Sequence, residues 1–341
     1  MRKLRVLVLM HDYMVPPERV KGHDIYTVQW RTEYNVSRTL KKKLKHDIQV
    51  LGVKDDLATI RQARDEFKPH IAFNLLEAFH EVGTYDRNVV SYLELLRLPY
   101  TGCNPRGMFL ARDKALSKKL LHYHRIPVPD FAVIRRGRRL VVPKRMKYPL
   151  IVKSLTQEAS IGISQASVVD DEAKMRERVQ FVHDSIGTDA IVEQYIEGRE
   201  LYCGLLGNER LRVLPVWELT FHSMPEGQHK IATERVKWSW KYQNKVGVDT
   251  GVAEDLTDEQ VKRVQHISRR TYRVLDMSGY GRIDLRLGTD GQVYVLEANP
   301  NPQIAQYEDF ALSADHAGIP YPDLLQRILM LGLRWNPEYH G

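Results

Sequence analysis

The stretch that most constrains this chain runs from Gly281 to Asn301. Ile283, Leu285 and Leu287 alternate with Asp284, Arg286 and Gly288, and Tyr294 and Leu296 continue the pattern beyond Asp290-Gly291. A period of two marks a half-buried strand, and an Asp-Gly pair between two such runs marks a hairpin turn. Closing the hairpin brings Asp284 near Glu297 and Asn299. Two carboxylates and an amide oxygen at the ends of adjacent strands form a hard oxygen site. Such a site suits Mg²⁺, which keeps its other positions for waters and phosphate oxygens. Arg282 lies two residues from Asp284 and shares its strand face. A cation beside a magnesium site is what a phosphoryl or acyl-phosphate reaction needs. The bland alternative is an ordinary hairpin with solvated acids, which fits any one of these residues better than it fits the set.

The rest of the chain has room for several domains. Its 341 residues allow two or three. The 51 Lys and Arg against 43 Asp and Glu leave a net charge of +8, which favours anionic ligands such as nucleotides but equally suits a solvated surface. Cys103 and Cys203 are too few and too far apart for a disulfide framework or a zinc cluster. No apolar run reaches membrane-spanning length. The opening residues, Met1 to Met10, have a short apolar core without a small-residue cleavage site. They read as a buried first strand of a cytoplasmic protein.

From there strands and helices alternate. Residues 6–10 form a continuous apolar run of the kind covered on both faces. A helix is expected near 30–44, a strand at 48–53, a helix at 57–67, a strand at 71–75 and a helix at 89–96. This is the pattern of a small open α/β domain, where ligands bind at the carboxyl ends of strands. His11, Glu77 and His80 lie at such ends, as do Asp12, Asn74 and Glu81. Arg112 to Leu121 reads as an amphipathic helix. The basic run Arg135-Arg136-Gly137-Arg138-Arg139 has no interleaved aromatic platform, so it reads as a solvated turn and not as a nucleic-acid site.

A strand ending in Lys153 is followed by a small-residue loop, Ala159-Ser160-Ile161-Gly162-Ile163-Ser164. Such a loop lets backbone N–H groups approach phosphates, with a lysine point charge nearby. The Gly-Lys-Ser/Thr tail of a P-loop is missing. Residues 190–202 then read as strand, turn, strand.

At these blocks the chain resembles the ATP-grasp superfamily of ligases, and within it the D-alanine–D-alanine ligase branch. Five blocks carry the resemblance over most of residues 98–335: Leu98 to Gly102; Asp113-Lys114 with Ser117-Lys118; Pro149 to Lys153 with Ser160-Ile161-Gly162; Glu193 to Glu200; and the hairpin itself. The resemblance implies an α/β (α+β ATP-grasp) fold, with an N-terminal open α/β domain at 1–110. Two ATP-grasp subdomains at 111–195 and 196–341 would clasp ATP between them.

It implies roles as well. Lys114 and Lys153, with the loop of Ser160 and Gly162, would hold phosphates. Glu193 would accept the adenine amino group, with the backbone at Tyr195 and Ile196 beside it, and Glu200 would accept from ribose hydroxyls. Asp284, Glu297 and Asn299 would hold Mg²⁺, two ions being the implied number and Mn²⁺ a substitute. Arg282 would stabilise the transferring phosphoryl group. A mobile basic loop would bring Lys237 or Lys241 to the γ-phosphate; each is followed by an aromatic residue, and spacing does not choose between them.

The substrate walls depart from the family. The family's Gly- and Ser-rich first loop, whose glutamate holds the first amino acid, corresponds to His11 through Pro17, which lacks the pattern. After the metal asparagine the family has Ser-Pro-Gly; here Asn301-Pro302-Gln303 stands. The expected function is therefore an ADP-forming carboxylate–amine ligase acting through an acyl phosphate. It would join amino acids or short peptides other than two D-alanines, with His11, Glu77, His80, Asn301 and Gln303 facing substrate. A D-alanine–D-alanine ligase proper and a non-catalytic ATP-binding module are the alternatives. The implied partners are a small-molecule carboxylate and amine, without nucleic acid or membrane, and a homodimer is compatible with the resemblance.

Overall fold

The computed structural model describes residues 3–141, 146–157 and 160–339. Met1, Arg2 and Ala159, which enter the sequence reading, lie outside them. The described residues build three sheets in succession. In the first, β1 (Arg5–His11), β2 (Asp47–Val53) and β3 (Ile71–Asn74) run parallel in the order β2-β1-β3. β1 is apolar throughout because both its faces are covered. Leu7 and Leu9 pack with Ile60 and Ala63 of the helix Ala58–Phe67 and Val90 and Leu93 of the helix Asp86–Leu95. Val6, Val8 and Met10 pack with Val36 and Leu40 and with Leu324, Leu325, Ile328 and Leu329 of the helix Tyr321–Arg334. The last long helix of the chain thus seals the first sheet.

The second sheet has the order β4-β7-β5-β6, from β4 (Phe131–Ile134), β5 (Leu150–Ser154), β6 (Val168–Val169) and β7 (Ala190–Gln194), all antiparallel. It has a core of its own with the helix Glu172–Phe181, around Val152, Met175, Val179 and Val192. The third sheet contains β8 (Gly198–Leu206), β9 (Arg212–Phe221), β10 (Val248–Val252), β11 (Tyr280–Gly288) and β12 (Val293–Pro300), antiparallel in the order β10-β9-β8-β11-β12. The helix Asp258–Val274 lies on it, started by a capping box between Thr257 and Gln260. The three sheets fall within residues 1–110, 111–195 and 196–341 respectively.

Two elements differ from the sequence reading. The helix expected over Arg112 to Leu121 runs Lys114–Tyr123, and a separate helix, Pro105–Arg112, precedes it. Asp113 between them is extended, and its carboxylate accepts the N–H groups of Ala115 and Leu116 at 3.0 and 2.9 Å. An aspartate satisfies orphan donors at a helix start better than it serves a helix interior, so it divides the run. The basic segment read as a loop forms two short helices, Glu234–Trp238 and Trp240–Val246, capped by Thr233 and Ser239. The 135–139 run is an exposed turn, as expected.

Candidate active site

The hairpin forms and brings Asp284 near Glu297 and Asn299, as expected. Arg282 pairs with Asn299 and Asp284 with Glu297, and a bulge follows Asp284. Antiparallel partners project to the same face, so these side chains converge. Of the four, Asp284 and Glu297 form one end of a cleft of about 800 Å³ between the second and third sheets. Lys114, Lys153, Ser160, Glu193, Tyr195, Ile196, Glu200, Lys237, Asp284 and Glu297 all line it. Its walls carry Ile151, Ile163, Ile231 and Leu296, apolar surfaces suited to the faces of a planar base.

At the base end, Glu193 is 1% exposed at the end of β7. Lys153 Nζ donates to its Oε2 at 3.0 Å, and Lys118 Nζ lies 3.4 Å from Oε1. Burial raises the carboxyl's pKa, but the two lysines outweigh it and hold it below the usual range. Lys118, which sequence reasoning grouped with Lys114 without giving it a place in the site, is the deeper of the two, and its Nζ also donates to the Leu296 carbonyl at 2.5 Å. The Tyr195 N–H goes to the Pro149 carbonyl, and the Ile196 carbonyl accepts from Arg286.

Arg286 is a residue the sequence reading missed. It is 3% exposed, lines the cleft and donates to Glu200 Oε2. The alternation on β11 carried the signal, since 282, 284 and 286 share one face.

Lys114 Nζ donates to the Gln157 carbonyl at 2.6 Å and lies 3.8 Å from Glu297. The phosphate-type loop turns through positive φ at Ser160 (58°) and Gly162 (72°). The Gly162 N–H donates to the Glu234 carboxylate at 2.8 Å, and the Glu234 N–H to the Ile163 carbonyl at 2.9 Å. Loop and basic segment are therefore stapled together over the cleft. Lys237 lines the cleft, whereas Lys241 is exposed on the far side of the break at Ser239.

Burial raises Glu297, but Lys114, Lys237 and Lys153 together bring it down to about 2. Asp284 is raised by burial against the pull of Arg282, with Glu297 adding to the rise. Arg282 lies beyond the cleft lining and binds Asp284 with two hydrogen bonds of 2.7 and 2.9 Å. Asn299 Nδ2 is buried without a hydrogen-bond partner. Among the described residues no group of three His, Cys, Asp or Glu side chains forms a metal site. Two carboxylates that line the cleft, with the Asn299 amide one pair along the strands, are nevertheless the incomplete oxygen donor set that Mg²⁺ accepts, so the residues fit the ion.

A second pocket of about 360 Å³ adjoins the loop after Asn299. Glu77, Asn301 and Gln303 line it, with Thr32, Glu33, Asn74 and Tyr280. Gln303 Oε1 accepts from Thr32 Oγ1 at 3.3 Å. Asn301 has a structural duty: its Oδ1 accepts the Cys103 N–H at 2.7 Å and lies against Gly102, where any Cβ would meet that oxygen at 2.4 Å. His11 and His80 line neither pocket. His11 Nε2 instead accepts the Glu77 N–H at 3.2 Å, and His80 sits on an exposed turn against Phe79.

Glu33 was also missed. It lies in the first turn of the helix Arg31–Arg38, is 7% exposed, and its Oε2 has no hydrogen-bond partner. Burial, reinforced by Glu77, raises its pKa to about 7. The segment 15–30, which forms no helix or strand, separates its helix from β1 and the short turn that follows β1.

A nucleotide-sized cleft between two antiparallel sheets, with lysines, acids and a phosphate-type loop around it, defines an ATP-grasp enzyme. The family described as "D-ala D-ala ligase C-terminus" matches residues 120–330. A D-alanine–D-alanine ligase of Desulfotalea psychrophila is 32% identical over 82% of this chain and 84% of its own length. An uncharacterized protein of Sinorhizobium fredii is 32% identical over 76% and 73%. The solved D-alanine–D-alanine ligase of Bacillus anthracis in complex with ATP superposes with a TM-score of 0.75 at 24% identity, covering 98% of this chain and 99% of its own. A D-Ala:D-Ser ligase of Enterococcus faecalis gives 0.69 at 17%, covering 97% and 100%. The two structures speak for the fold. The chain belongs to the D-alanine–D-alanine ligase family and is an ADP-forming ATP-grasp ligase.

Proposed function

We propose that this ligase joins an amino acid, bound through its ammonium group at Glu33, to an amine other than D-alanine. The observation that carries the reading is the buried, unpartnered carboxyl oxygen of Glu33 in the second pocket, beside the loop that follows Asn299. A buried acid without a partner is costly, and a substrate ammonium would satisfy it. The reading requires the substrate's carboxylate to face the Asp284–Glu297 end of the cleft, which the 297–303 segment joins to this pocket. It takes the γ-phosphoryl group of ATP, giving an acyl phosphate and ADP. The amine then attacks the acyl carbon, loses a proton and displaces phosphate.

Lys114, Lys153, Lys237 and the 160–163 loop neutralise and enclose the phosphates, and Arg282 stabilises charge on the transferring group. Glu193 and Glu200 receive the adenine amino group and the ribose hydroxyls. Mg²⁺ held by Asp284, Glu297 and Asn299 supplies further neutralisation of phosphate charge when bound. Positioning and electrostatics carry such a transfer.

Gln303 separates this chain from a ligase of two D-alanines. A side chain tied to Thr32 stands where the family pattern has glycine, and it offers amide contacts to a larger polar acceptor. The test is ADP and phosphate release with D-alanine alone against L-amino acids and dipeptides in pairs, with ATP and Mg²⁺. We expect a pair without D-alanine to be preferred at least tenfold in kcat/KM. Synthesis of D-alanyl-D-alanine near the roughly 10⁴ M⁻¹s⁻¹ of a cognate enzyme would return the chain to its relatives' reaction.

A further inference from the structure

Tyr202 lies on β8, cross-strand from Asp284, while its neighbour Glu200 lies opposite Arg286. It is 5% exposed and does not line the cleft, so it does not reach the nucleotide. It nevertheless touches two groups that serve opposite ends of the reaction. Its phenol donates to Glu200 Oε1 at 3.1 Å, and the other oxygen of that carboxylate accepts from Arg286. Its ring lies under the Arg282 guanidinium, 4.6 Å from the centroid. The ring belongs to a core cluster with Trp217, Leu219, Phe221, Val236 and Val246, beneath the segment that carries Lys237.

Taking the nucleotide role of Glu200 and the phosphoryl role of Arg282 from the reading above, we propose that Tyr202 is the positioning residue for both, its hydroxyl fixing the ribose carboxylate and its ring face fixing the transition-state cation. The physical case has two independent parts. A carboxylate held on both oxygens keeps one rotamer, so less freedom is lost when ribose hydroxyls arrive. A guanidinium on a buried aromatic face is held by the ring quadrupole, and that contact is strong where water is excluded. Arg282 could otherwise follow either Asp284 or solvent. The ring limits it to an arc over one plane, above the end of the cleft where the phosphoryl group is transferred. Burial raises the phenol well above its ordinary pKa, so it remains a donor across the working range.

The two parts separate by substitution. Tyr202→Phe removes the hydroxyl and keeps the face; Tyr202→Leu removes both. The probe is ATP with Mg²⁺, read by calorimetric Kd and by kcat for ADP release in a mixture of L-amino acids and D-alanine at saturating ATP. For Tyr202→Phe we expect Kd for ATP to rise about fivefold or more, preference for ATP over 2′-deoxyATP to shrink, and kcat to stay within twofold. For Tyr202→Leu we expect the same weakening with kcat about tenfold lower or less.

A Tyr202→Phe variant with wild-type Kd and ribose preference overturns the assignment, as does a Tyr202→Leu variant with wild-type kcat. Should Tyr202→Leu not fold, Tyr202→Phe decides alone. Glu200→Ala and Arg282→Ala keep the outcomes distinct. If they change Kd and kcat respectively while both Tyr202 variants change neither, the positioning role fails and the underlying reading stands. If Glu200→Ala and Arg282→Ala change nothing, that reading fails.

Discussion

At the scale of single residues, Glu33 gives the most direct handle on substrate. Its pKa of about 7 means that the folded carboxyl carries a proton below neutrality, whereas an unfolded glutamate has already lost it. The sign follows from that upward shift. The group's contribution to stability is complete below the ordinary carboxylate range and is lost as pH rises through about 7. Ammonium binding runs the other way, because it needs the ionised form. KM for the amino-acid substrate should therefore fall by about tenfold per pH unit on approaching 7 from below, and level off above it. Glu33→Gln should raise KM throughout and remove this pH dependence. A wild-type pH profile in that variant would place the ammonium elsewhere. Glu33 also marks where sequence reasoning stopped short. Nothing in the local pattern tells that the chain returns after the loop of residues 15–30 to set the helix that carries it beside Asn301 and Gln303.

Elements were legible where local rules and tertiary context agree. The 281–301 hairpin follows from alternation and Asp-Gly, which put Leu285 opposite Val295 near the turn; it is the bulge beyond that pair that brings Glu297, not Leu296, opposite Asp284. The bulge after Asp284 was not legible, because it depends on how the third sheet bends. Nor was the break at Asp113, where a capping residue sits between two charged residues, Arg112 and Lys114, of an amphipathic pattern. The 233–246 segment was the hardest. Its lysine–aromatic pairs look alike in sequence, and Ser239 separates them by starting a second helix. That break leaves Lys237 facing the cleft and Lys241 exposed. Lys237→Ala should accordingly lower kcat by about tenfold or more, the usual scale for one charged group acting in a transition state. Lys241→Ala should stay within twofold. Steady-state ADP release at saturating ATP measures both, and a larger loss at Lys241 would mean that the segment rearranges around nucleotide.

Across the whole molecule, the distribution of core separates what moves together. The first sheet, the third sheet and the helices Asp258–Val274 and Tyr321–Arg334 share two large apolar cores, so the first and last parts of the chain are one packed body. The second sheet keeps its own small core. The nucleotide cleft lies between that sheet and the third. Two walls with separate cores can shift against each other around a ligand without breaking either core.

Leu329 tests the division. It is fully buried in the core that joins the last long helix to β1 and β3. Leu329→Ala should cost about 2–5 kcal/mol, the range for a large-to-small change at a site that cannot collapse. The loss should fall unevenly. Amide hydrogen exchange should quicken in β1, β3 and the 321–334 helix, while β5 and β7 keep their protection because their core contains none of the disturbed atoms. Chemical denaturation gives the total, and exchange read strand by strand gives its distribution. If β5 and β7 lost protection as much as β1 does, the second sheet would be part of one cooperative unit, and closure over ATP would have to come from the 160–163 loop and the 234–246 helices alone.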